Sequence, residues 1–107
     1  MTTYKGMDKD AKCQGFQFGV GKEYAHEGEI KICEKGFHAC ENPLDVFSYY
    51  SPCDSRFFEV EQTGETQKQD SGDSKIVSSR IKIKAEIGLK GIIEAAVKFI
   101  IDICNIC

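Results

Sequence analysis

The chain has 107 residues, with 14 Lys and Arg against 17 Asp and Glu and a net charge of −3. At this length a single domain over 1–107 is expected, and 41% hydrophobic with 29% charged residues excludes wholesale disorder. The acidic balance argues against a general binder of nucleic-acid backbone. The longest apolar stretch, Ile92 to Cys104, is too short and too charged for a membrane span.

From the N-terminus, Tyr4-Lys5-Gly6 opens an extended piece. The segment Met1 to Gly6 lacks the apolar core of a signal peptide, so free thiols in a cytoplasmic setting are expected. Phe16 and Phe18 alternate with Gln17 and Gly19, a period-two strand signal. Ile30-Lys31-Ile32 reads as a short strand between Gly28 and Gly36, and Phe37 to Cys40 as another. Asn42 as N-cap and Pro43 at the first helical position predict a short helix over 43–50, stopped by Pro52.

Arg56 to Gln62 alternates Phe58 and Val60 with Glu59 and Glu61. The polar stretch 63–74 reads as a loop. A second strand follows over 76–87, with Ile81 and Ile83 alternating with Arg80, Lys82 and Lys84. These two strands predict an antiparallel pair with acidic and basic rows facing each other across it. From 89 to 104 the apolar residues follow helical spacing, while Lys90, Glu94, Lys98 and Asp102 form one polar stripe. The predicted class is α+β: a mostly antiparallel sheet, a short helix and a long C-terminal helix.

Several constellations could carry chemistry. Cys33, His38 and Cys40 offer soft ligands for tetrahedral zinc, with Cys13 or Cys53 as a fourth. Their spacing is not a standard zinc pattern, and reduced cysteines are common core residues, so a structural role is expected and no metal or cofactor is assigned. His38 and Cys40 as base and nucleophile lack a third orienting group. Cys104-Asn105-Ile106-Cys107 has CxxC spacing but closes a helix, where the dipole raises rather than lowers a thiol pKa. No catalytic residue is assigned. Aromatics outnumber what one small core can hold, which places Tyr49, Tyr50 and Phe57 near the surface as interaction candidates. The helix shows apolar residues almost all round. One sheet covers Ile92, Ala96 and Ile100, leaving Phe99, Ile103 and Ile106 on one flank and Val97 and Ile101 on the other for a partner or a second copy.

Tyr4-Lys5-Gly6, Lys12-Cys13-Gln14-Gly15-Phe16-Gln17-Phe18 and the run Gly36-Phe37-His38-Ala39-Cys40-Glu41-Asn42-Pro43-Leu44-Asp45 carry a resemblance. It continues through Phe58-Glu59-Val60-Glu61 and Ile81-Lys82-Ile83. The chain resembles a domain of unknown function found in phage and prophage proteins, here without the repetitive tail those proteins often carry. The resemblance implies no catalytic residues. It implies a non-enzymatic protein of a phage or mobile element. Such a protein would act on a host protein in the host cytoplasm, for example as an anti-CRISPR-like inhibitor of a defence system. A structural module of a phage particle is a further reading. The order Tyr-x-Gly, Gly-Phe-His, helix, Phe-x-Val is also similar to ADP-ribosyltransferase-like folds. That likeness implies a nucleotide-binding domain or small enzyme using Tyr4, Lys5 and His38.

Overall fold

In a computed structural model, which describes residues 1–32, 34–69 and 72–106 with side chains through Cys104, the chain is α+β. Its elements are β1 (Thr2–Met7), β2 (Lys12–Cys13), β3 (Phe16–Gln17), β4 (Glu23–Ala25), β5 (Phe37–Cys40), the 3₁₀ helix η1 (Pro43–Ser48), β6 (Arg56–Lys68), β7 (Lys75–Glu86) and α1 (Gly88–Ile106). The main sheet runs β4-β7-β5-β1-β6, and β6 pairs again with β7, so four strands close into a small barrel. Its pairings are all antiparallel.

The predicted β6–β7 pair forms, and its alternation holds. Phe58, Val60, Ile81 and Ile83 are buried in the barrel with Met7, Phe18, Phe37 and Ala39. Lys82 and Lys84 point to solvent. Lys84 Nζ lies 3.3 Å from Glu59. Glu61 sits opposite Lys82, but its carboxylate pairs with the Met1 ammonium at 2.7 Å.

A second buried layer lies outside the barrel, where Cys40, Val46, Phe57 and Ile92 pack with Tyr4, Phe47, Tyr50 and Ile87. Here the structure corrects one surface assignment. Phe57 is fully buried, with its ring edge-on to Phe47 at 5.4 Å between centroids. Alternation puts Phe57 on the outer face of β6 correctly, but α1 and η1 cover that face.

Other boundaries shift for backbone reasons. The stretch read as a loop over 63–74 is strand as far as Lys68, because Thr66, Gln67 and Lys68 pair with Ser78, Val77 and Ile76. A bulge at Gly64, φ +76°, absorbs the change of register. A Cβ there would meet Ser79 Oγ. Residues 30–32 form no strand. Lys31 and Lys35 instead exchange both backbone hydrogen bonds at 2.8 Å, closing a tight turn on itself. The short helix is 3₁₀ and ends at Ser48, with Asn42 Oδ1 accepting from the Leu44 N–H as an N-cap does.

Candidate functional site

Strands β1 and β5 are paired at one position, Tyr4 with Cys40. Away from it they diverge, and the gap opens into a cavity of about 350 Å³. The sequence Tyr-Lys-Gly of β1 builds much of its wall. Alternation turns Lys5 to the barrel side and Tyr4 to the outer layer. Lys5 is only 5% exposed. Its ammonium donates to the His38 carbonyl at 2.6 Å, bridging the gap between the strands. It also stands 5.5 Å from the centre of the Phe18 ring. Gly6 allows close approach of a ring: a Cβ there would lie 2.6 Å from Tyr50 Cδ2. Tyr50, so seated, donates its hydroxyl to Cys13 Sγ at 2.9 Å.

The opposite wall comes from η1 and the start of β7. Tyr49 bonds Asp73 through its hydroxyl, and Lys75 Nζ lies 4.2 Å from the centre of the Tyr49 ring. The η1 end is tied to the 73–75 segment. Ser74 N–H donates to Asp45 Oδ2 at 2.8 Å, Asn42 N–H to Ser74 Oγ at 2.7 Å, and Lys75 N–H to Asp73 Oδ1 at 3.0 Å.

The charged side chains of the lining itself are all basic, with Asp73 and Asp45 standing behind it. Lys5, Lys75 and His38 line the cavity, and among the described residues no Asp or Glu does. Nor does any described carboxylate come within 4.0 Å of Lys5. Burial pushes the Lys5 pKa down, against the pull of neighbouring Cys13. Burial, then the charges of Lys5 and Lys75, push His38 down to about 4, so its ring is neutral at pH 7. Burial, then Asp73 and Asp45, push the Cys40 thiol up to about 12. Burial also raises Tyr4, with Glu59 adding to it. Tyr50 is raised by burial and by its bond to Cys13.

These values speak against a Cys40–His38 nucleophile pair. A catalytic thiol needs a depressed pKa, and here the thiol stays protonated while the imidazole is a poor base. Among the described residues no three His, Cys, Asp or Glu side chains converge to hold a metal. Cys33 lies outside the described residues, as does Cys107 of the C-terminal CxxC; Cys104 is exposed.

The structure brings Tyr4, Lys5 and His38 into one cavity and adds Tyr49 and Tyr50 to it. Phe57 lies behind the wall and does not reach it. On α1, Ile92 and Ala96 are buried and Phe99 half-buried, whereas Ile100 and Ile103 stay 46% and 48% exposed. The expectation that Ile100 is covered is therefore corrected: the layer beneath α1 buries Ile92 and Ala96 and leaves Ile100 exposed. The Ile106 side chain lies outside the described residues. Sequence reasoning missed Cys13 and Lys75 as wall residues. The Cys-Gln-Gly turn, with φ +51° at Gln14 and +80° at Gly15, is a local signal for a tight projection. No local signal marks Lys75.

No curated protein and no solved structure matches this chain. A family model described as "Domain of unknown function (DUF7666)" matches residues 1–95 of the 107, and the chain belongs to that family.

Proposed function

We propose that the protein is a non-enzymatic binding domain whose ligand enters the β1–β5–η1 cavity, and that the ligand joins a flat ring to an anionic group, as a nucleoside phosphate does. The carrying observation is Lys5, a buried ammonium with a backbone carbonyl for a partner and no described carboxylate within reach. Taking an ammonium out of water costs several kcal/mol unless an opposite charge compensates. An anion in the cavity supplies that charge between Lys5 and Lys75. Tyr4, Tyr49 and Tyr50 offer rings for stacking. The cavity volume of about 350 Å³ falls in the range of small-molecule sites, roughly 300–1,000 Å³.

Thermal shift and calorimetry with AMP, ADP and NAD, against inorganic phosphate and benzoate alone, test the reading. A ligand at 100 times its Kd should stabilise the fold by about 2.7 kcal/mol. Lys5→Met should abolish the shift. If no compound bearing both ring and anion shifts the protein, the cavity is not this kind of site.

The exposed ring of Tyr49, 47% accessible at the cavity mouth, favours a second reading. In the phage or mobile-element setting that the sequence resemblance implies, the cavity takes an acidic side chain of a host protein and the domain inhibits it in the host cytoplasm. A CRISPR-type nuclease is one such target. Phage plating on CRISPR-immune cells expressing the domain, or its Tyr49→Ala variant, checks this. Unchanged interference with the wild-type chain removes it.

A further inference from the structure

We infer that two copies of this chain pair through α1 as antiparallel helices about a two-fold axis at the height of Ala95 and Ala96. The helix spans Gly88–Ile106, about 28 Å at 1.5 Å per residue. Its inner side is taken: Ile92 and Ala96 are buried against η1 and β6. The flank beside that inner side carries Leu89, Ile93, Val97, Ile100 and Ile101, each 40–53% exposed. An apolar strip of this kind on a soluble domain marks an interface.

The charges say which partner fits. Residues four apart make ridges on a helix surface. Leu89, Ile93, Val97 and Ile101 form one ridge, and Lys90, Glu94, Lys98 and Asp102 form the ridge beside it. In an antiparallel pair each flank of one helix meets the same flank of the other. A two-fold near residues 95–96 then sets Leu89 against Ile101 and Ile93 against Val97 of the second copy. The same operation sets Lys90 against Asp102, and Glu94 against Lys98. Both ridges thus share one symmetry centre within half a residue, and every charge meets its opposite. A parallel pair would instead lay the charged ridge along the partner's Ile100–Cys104 flank, charge against apolar surface. The surface is self-complementary in one orientation, which selects a second copy as the occupant.

Analytical ultracentrifugation of the full chain, under reductant so that Cys53 and Cys104 cannot cross-link, provides the test. The wild-type protein should sediment as a dimer that dissociates on dilution. Val97→Lys should be monomeric with unchanged circular dichroism, because Val97 is 53% exposed and no part of the core. Glu94→Lys turns two symmetric attractions into repulsions and should raise the dimer Kd on the order of ten-fold. Adding Lys98→Glu to it should restore wild-type affinity. A wild-type chain that stays at 12.0 kDa at every concentration overturns the inference. So does a dimer indifferent to Glu94→Lys, or one that the double exchange fails to rescue.

Discussion

Two buried polar side chains on the neighbouring strands β6 and β1 met opposite fates. Gln62 is 1% exposed and Lys5 is 5% exposed. Gln62 accepts from the Thr3 hydroxyl at 2.7 Å. Its amide donates to the Phe37 and Ile76 carbonyls at 3.0 Å each. One neutral side chain therefore stitches β1, β5, β6 and β7 together, and nothing is left over. Lys5 reaches across the same divergence of β1 and β5 to the His38 carbonyl, but its charge has no described counterion. A neutral buried group whose bonds are all met is structure. A buried charge with its bond met and its charge unmet points to something that has still to arrive.

The largest effect should come from breaking the satisfied half. Gln62→Leu keeps the volume but strands the two carbonyls and the Thr3 hydroxyl. At 1–3 kcal/mol for each unmet group, partly relieved by relaxation, a loss of about 3–4 kcal/mol is expected in urea denaturation. A loss under about 1 kcal/mol would show that water replaces the amide and that the network is not what closes the barrel.

A smaller effect belongs to His38. Its folded pKa of about 4 lies below its ordinary 6.5, so between these values the unfolded chain binds more protons. Stability is full above pH 6.5 and falls as pH drops toward 4. Partial exposure of the ring discounts the loss to about 1–2 kcal/mol. His38→Gln should flatten that part of the stability–pH curve. An unchanged slope would mean that solvent reaches the ring and Lys5 and Lys75 do not act on it.

The smallest change in stability, and the sharpest contrast, is expected for Lys5→Met. A buried charge without its partner is a cost, so removing it should leave the fold within about 1 kcal/mol of wild type at pH 7, or above it. Because burial lowers the Lys5 pKa, the unfolded chain again holds more protons, and wild-type stability should climb as pH rises toward the ordinary lysine value. The Met variant should lack that climb. A variant several kcal/mol less stable would make Lys5 a structural bridge like Gln62 and erase the difference between the two.

Much of the fold was legible in short-range pattern. Alternation at Phe58, Val60, Ile81 and Ile83 named the barrel wall, and the Asn42-Pro43 cap located η1. The spacing from Leu89 onward located α1. What misled was the use of polarity to find strand ends. The stretch from Thr63 to Lys68 carries no large apolar residue, yet it pairs along β7, because backbone hydrogen bonds need no apolar side chain when the partner strand is already held. Phe57 was misplaced for a related reason: alternation tells which face a residue takes, and only a neighbour from elsewhere in the chain decides whether that face is wet.

By itself, then, the sequence determined the apolar parts of the long strands β6 and β7, their inward residues and the charged ridge of α1, since each follows from periods of 2 or 3.6 residues along one segment. The likeness to ADP-ribosyltransferase-like folds, not periodicity, grouped Tyr4, Lys5 and His38. Only the tertiary structure decided that Lys5 is buried without a described carboxylate beside it, that Cys13, Tyr50 and Lys75 join its cavity, that α1 and η1 shield Phe57, and that Ile100 stays exposed. These are contacts between residues 30 to 70 positions apart. They arise from barrel closure and helix docking, where the free energy is shared among many segments and no single window of sequence carries it.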